Sequence, residues 1–124
     1  MSYRLLIFVA KKEGISHEDF KTKYEAQTAL ISEIAGDAAP VRYTRRYIAQ
    51  TPDGKPFLLA GNPDSIDFDA VIEIEFDGEL GFANFAAKTA TEEAQAKIKA
   101  GEGEIVDTAK TKLIVVGSVE VREK

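Results

Sequence analysis

This sequence predicts an α+β domain in which a four-stranded antiparallel sheet carries its helices on one face, and three features predict it. Residues 4–10, Arg-Leu-Leu-Ile-Phe-Val-Ala, make an apolar run of strand length. A capped amphipathic helix follows at once, and further on Phe68–Phe76 alternates apolar and polar residues with period two. The elements recur in the order strand, helix, strand, strand, helix, strand over 124 residues, which is about one domain, spanning 1–124, with a single core.

The first strand is apolar on both faces, as a strand in the middle of a sheet is. Gly14 closes the turn after it. Ser16 is a good N-cap, Asp19 completes a capping-box pattern three residues on, and Glu18 and Asp19 suit the positive end of a helix dipole. The helix runs over His17–Ala35, with Phe20, Tyr24, Gln27, Thr28, Ile31 and Ile34 on its inner stripe. Gly36 is placed to end it at positive φ, and Pro40 blocks continuation. Val41–Gln50 is a second strand, with Val41, Tyr43, Arg45 and Tyr47 on one face and Arg42, Thr44, Arg46 and Ile48 on the other. Thr51–Pro63, with three prolines and two glycines, is a surface excursion.

In the third strand, Phe68, Ala70, Ile72, Ile74 and Phe76 share one face, and Asp69, Val71, Glu73 and Glu75 the other. A helical region with Leu80, Phe82, Phe85 and Ala86 starts at Asp77-Gly78. It breaks near Thr89 and restarts at a Thr91 N-cap, reaching Lys99. Gly101-Glu102-Gly103 reads as a turn, a short helical turn is expected around Glu104–Ala109, and Lys112–Val121 is the fourth strand. Right-handed crossovers turn this order into the ferredoxin-like arrangement. The first and last strands are apolar on both faces, so the helix-free face needs a partner, and a homodimer packing two sheets together provides one.

Composition excludes several classes of chemistry. With no cysteine, there are no disulfides, thiolate nucleophiles, cysteine-bound zinc or iron–sulfur clusters, and one histidine makes no imidazole metal cluster. A net charge of −5 with scattered basic residues opposes nucleic-acid binding. No segment approaches the roughly 18 apolar residues of a membrane span, and the start of the sequence lacks signal-peptide form, so a cytoplasmic protein is expected.

Lys11-Lys12-x-Gly14-Ile15-Ser16-x-Glu18-x-Phe20, the pair Tyr24-Glu25, Tyr43-x-Arg45-Arg46-Tyr47, Phe68-Asp69-Ala70-Val71-x-Glu73, Asp107-x-x-Lys110 and the closing Val-Val-Gly117 occur in one order. In these the chain resembles the EthD family of dimeric α/β-barrel proteins, in particular its short fungal members, over nearly its whole length. The resemblance implies a cleft between sheet and helices for a hydrophobic small molecule, often a polyketide or aromatic intermediate. It also implies cofactor-free cyclisation, dehydration, decarboxylation or isomerisation. Where many members carry a histidine four residues after the first-helix aromatic, this chain has Thr28, and their Asp-Glu-Glu is here Gly101-Glu102-Gly103. His17 is expected at the surface.

Tyr24 and Thr28, with Tyr43 or Tyr47, supply hydroxyls able to hold a ligand carbonyl and stabilise an oxyanion without metal or cofactor. The same hydroxyls also suit a core in which backbone satisfies them. Asp69 and Glu73 are candidate bases, although about 13 Å apart along the strand. They equally suit ion pairs with Arg42, Arg45 or Arg46. Arg45 and Arg46 could each bind a substrate carboxylate, and Arg46 is the candidate, but as neighbours on a strand at most one of them points inward. Phe8, Phe20, Phe82 and Phe85 are candidate lining. The leading expectation is a cofactor-independent lyase, cyclase or isomerase of secondary metabolism acting on a polyketide-like or aromatic carbonyl compound. The alternatives are a non-catalytic carrier and a structural stress-response dimer.

Overall fold

The apolar run near the start becomes an inner strand because it has a neighbour on each side. The computed structural model describes residues 2–124. Four strands, β1 (Tyr3–Val9), β2 (Arg42–Tyr47), β3 (Ala70–Phe76) and β4 (Lys112–Val115), lie in the order β2-β3-β1-β4, every neighbouring pair antiparallel. Three helices, α1 (His17–Ala35), α2 (Gly78–Thr89) and α3 (Glu92–Ile105), cover one face.

Alternation sorts the strands. Leu5, Ile7 and Val9 stand opposite Ile74, Ile72 and Ala70, and these six share the helix-covered face with Tyr43, Arg45 and Tyr47. Val9, Phe20, Ile72, Phe76 and Ile105 are sealed from solvent and form the centre of the core, each contributing about 1.5–3 kcal/mol by burial. The other face carries Arg4, Leu6 and Phe8 beside Val71, Glu73 and Glu75, with Ile114 opposite Leu6.

The caps form as their residues dictate. The Ser16 hydroxyl accepts from the Asp19 N–H at 3.0 Å and the Thr91 hydroxyl from the Ala94 N–H at 3.1 Å. Gly36 ends α1 at φ 58°.

The second half of the chain departs from expectation in three places. The helix from Thr91 does not stop at Lys99 but runs through Gly101-Glu102-Gly103 to Ile105, absorbing part of the helical turn expected at Glu104–Ala109. Tertiary contact overrides propensity here. A Cβ at Gly101 would sit 2.2 Å from Gln27 Oε1, so glycine lets α3 press against α1, where the Gln27 amide donates to the Ile98 carbonyl at 2.8 Å. Next, β4 ends at Val115 rather than Val121. Val116 still donates to the Arg4 carbonyl at 2.9 Å, but the described part of β1 leaves residues 119–121 no partner on this chain. Finally, β3 starts at Ala70, and Phe68, outside the ladder, turns to meet Phe8 edge-on at 5.2 Å instead of joining Ala70's face.

The two glycines of α3 should therefore respond differently to a methyl group. Gly103 has open space around it, so Gly103→Ala is expected to stabilise by about 0.5–1 kcal/mol through helix propensity. Gly101→Ala is expected to give no gain, because Gln27 must turn away and lose its buried hydrogen bond, about 1 kcal/mol in the opposite direction. Urea unfolding of both variants measures the contrast, and equal gains would remove the helix-contact explanation.

Candidate functional site

Between the helix-covered sheet face and the three helices lies a cleft of about 400 Å³. Its floor is Leu5, Ile7, Val9 and Ile74, and Phe82 and Phe85 of α2 form one wall. Those two rings lie 5.5 and 5.0 Å from Phe76, which fixes them from behind. Tyr24, Gln27 and Ile31 of α1, Tyr43 of β2, Thr89 of α2 and Gln95, Ile98 and Glu102 of α3 complete most of the lining, with Leu113 at the exposed edge.

The hydroxyls expected on the inner stripe of α1 are inside. Tyr24 lines the cleft, and Thr28, buried one turn on, donates back to the Tyr24 carbonyl at 3.1 Å. Burial drives the Tyr24 phenol far above its ordinary range, and the neighbouring Tyr43 adds to the rise. Burial raises Tyr43 too, against the opposing pull of the Thr28 and Tyr24 hydroxyls and of Arg45. Both phenols therefore stay neutral at ordinary pH. Such a pair donates hydrogen bonds to an oxygen on which negative charge develops, in surroundings that screen the interaction little.

The strand alternation that brings Tyr43 in also admits Arg45. Its guanidinium holds Glu25 of α1 through two bonds of 2.6 and 2.9 Å and donates to the Tyr43 carbonyl at 2.6 Å. The Tyr47 hydroxyl donates to the same carboxylate at 2.6 Å. Arg45's bonds hold Glu25 at about 2, against desolvation that raises it, with Tyr47's bond lowering it further. Tyr47 is thus engaged in this clamp and borders Phe20 at 6.1 Å, while Phe20 is core packing rather than cleft lining.

Three further candidates lie across the sheet from the cleft, by alternation, and a fourth, Asp69, lies beyond the start of β3 near the first turn of α1. Phe8 projects to the helix-free face and packs on Phe68. Arg46, one residue beyond the inward Arg45, is exposed and pairs with Glu73 at 3.4 Å. Glu73 also lies 3.5 Å from Arg4. Asp69 accepts the Lys11 N–H at 2.7 Å and stands 3.6 Å from His17, in a separate polar recess of about 350 Å³. His17, expected at the free surface, is half-buried, with Nε2 3.2 Å from the Gly54 carbonyl.

The carboxylate that does line the cleft is Glu102, which sequence reasoning passed over because two glycines flank it. Its signal lay in Ala94, Ile98 and Ile105, spaced four and seven residues apart, whose helical period continues straight through Gly101-Glu102-Gly103. Among the described residues no group of three or more His, Cys, Asp or Glu is arranged to hold a metal ion, and no helix is long and apolar enough to cross a membrane.

Comparison with known proteins agrees with this geometry. The EthD domain family model matches residues 12–109. No curated protein is significantly similar to the sequence. Among solved structures, an EthD-like protein from Ralstonia eutropha JMP134 is similar at TM-score 0.64 and 16% identity, covering 98% of this chain and 95% of that one. A dimeric ferredoxin-like protein of unknown function from Thermobifida fusca YX is similar at TM-score 0.53 and 14% identity, over 94% of this chain and 90% of the other. SnoaB, a cofactor-independent oxygenase from Streptomyces nogalater, is similar at TM-score 0.53 and 10% identity, over 99% and 97%. At these identities the likeness is one of fold.

The clamp makes a prediction about acid. Glu25's folded value lies below the ordinary 4.5, so the stability it supplies is complete above that pH and is lost as pH falls toward 2. Glu25→Gln should be less stable than the parent at pH 7, with the gap closing by about pH 2. Urea midpoints across this range test it, and a gap independent of pH would contradict it.

Proposed function

The chain belongs to the EthD domain family, and from that premise we propose a cofactor-independent enzyme that binds a polyketide-like or aromatic carbonyl compound in the cleft and acts on it by proton transfer, as a lyase, cyclase or isomerase. The observation that carries this reading is the pair of neutral phenols, Tyr24 and Tyr43, on the wall of an otherwise largely apolar chamber. A planar aromatic ring fits between the floor of aliphatic side chains and the Phe82 and Phe85 wall, leaving its carbonyl to the hydroxyls. Thr28 takes a positioning role, since its hydroxyl is committed to its own helix. The cofactor-independent oxygenase of similar fold supports the idea that such a chamber works without a bound helper group.

A carrier that holds the same ligand unchanged is the second reading, favoured by Thr28 at the place where the resemblance leads one to expect histidine. A structural dimer with no ligand is disfavoured by an open cleft of about 400 Å³.

The working unit in this proposal is a homodimer formed through the helix-free face, where Leu6 and the half-exposed Ile114 lie side by side. The similar Thermobifida protein is described as dimeric. Ile114→Glu should convert a dimer into a folded monomer in sedimentation velocity at micromolar concentration. A parent protein already monomeric under those conditions refutes this interface.

Binding is tested with 2-tetralone, a bicyclic aromatic ketone, by equilibrium dialysis. Tyr24→Phe and Tyr43→Phe should each weaken it about five-fold, the equivalent of one neutral hydrogen bond of about 1 kcal/mol. Undiminished affinity in both variants would count against the phenols as carbonyl ligands.

A further inference from the structure

Resting on the reading of the cleft as a carbonyl site, we propose that Glu102 is the proton-transferring group within it, taking the proton from the carbon beside the ligand carbonyl and returning it to the resulting enolate.

The cleft offers little else. Its lining includes no imidazole, amine or guanidinium, and Glu102 alone brings a carboxylate. The remaining polar side chains are already engaged. Gln27 donates to the Ile98 carbonyl at 2.8 Å and Gln95 to the Thr89 carbonyl at 2.6 Å. Thr89 donates to the Phe85 carbonyl at 3.0 Å, and Thr111 to that of Asp107 at 2.9 Å. Among the described residues the Glu102 carboxylate has no hydrogen-bond or ion-pair partner, so it is free to act on a ligand. The acids expected to serve as base lie elsewhere, Asp69 in the recess beside His17 and Glu73 across the sheet, and the nearby Glu25 is locked to Arg45.

Position supports the assignment. Gly101 brings α3 against Gln27, three residues along α1 from Tyr24, and Glu102 follows directly. Its charge is close enough to bear on the Tyr24 phenol. An enolisable ketone with its oxygen at Tyr24 and Tyr43 would then lie between neutral donors on one element pair and a base on another.

The step balances without an added reagent. A Glu102 oxygen forms an O–H bond as the carbon–hydrogen bond breaks, and that electron pair shifts to make a carbon–carbon double bond while the carbonyl electrons move to oxygen. The phenolic O–H groups stabilise the enolate by hydrogen bonding. The carboxylic acid then gives its proton back to carbon, at the same atom or at another position of a conjugated enolate, the second case being an isomerisation.

The test uses the full chain in deuterated buffer with 2-tetralone and 2-indanone, following loss of the protons beside the carbonyl by NMR alongside affinity by equilibrium dialysis. The parent protein should accelerate exchange, and Glu102→Gln should slow it at least 100-fold while changing affinity less than about two-fold. Glu102→Ala serves as a second variant, and circular dichroism melting shows that each is folded. Exchange by folded Glu102→Gln and Glu102→Ala at the parent rate would overturn the assignment, as would binding by the parent with no exchange above buffer, and either result leaves the ligand-binding reading intact. Failure of the parent to bind either ketone removes that reading and this proposal together.

Discussion

The clamp of Glu25, Arg45 and Tyr47 sets where the cleft can be. Glu25 and Tyr24 are consecutive on a helix and point about 100° apart, by the 3.6-residue turn. When Arg45 grips Glu25 on the flank of α1, the helix is held at the rotation that aims Tyr24 into the cleft. On β2 the same guanidinium holds the Tyr43 backbone through its carbonyl, so one side chain fixes both phenol-bearing segments. Partial exposure weakens the clamp as a source of net stability. Its value lies in direction, since planar two-point contacts restrict rotation far more than a single ammonium contact does.

Alternation along the strands then divides the molecule chemically. Inward positions of β1 and β3 are aliphatic or aromatic, whereas outward positions bring Arg4, Arg46, Glu73 and Glu75 together in ion pairs. Leu6 and Ile114 interrupt that charged surface with an apolar patch. One face is therefore largely charged and the other largely apolar, and a slip of one residue in any strand would exchange them.

The first half of the chain was legible because its signals are local. Ser16, Asp19 and Gly36 bound α1 by hydrogen bonds within a few residues, and period-two patterning announced β2 and β3. The hydroxyl-bearing stripe followed from helical spacing alone. What could not be read depends on contacts distant in sequence. Gly101 looks like a breaker until Gln27, far back in the chain, is placed against it. The choice between Arg45 and Arg46 needs the register of β2 on β3, and the end of β4 needs the length of β1 beside it. Asp69 and Glu73 were drawn toward chemistry by residue type, although the alternation that separates them from Ala70 and Ile72 was visible in the same stretch.

The same long-range contact bears on how this chain differs from relatives expected to carry histidine at position 28. An imidazole there would put acceptor and proton donor on α1, within reach of Tyr43 and beside Tyr24. With threonine there, α1 presents only uncharged groups to the cleft, and the one carboxylate in the lining, Glu102, stands on α3, a helix weakened by two glycines, about 1 kcal/mol each relative to alanine. Gly103 has no packing reason for being glycine, while Gly101 has one. The α1–α3 distance, held by Gln27 on the Ile98 carbonyl, thereby governs how far the carboxylate stands from the phenols. A carboxylate near the phenols also favours their neutral form, since its charge opposes ionisation of Tyr24 alongside burial.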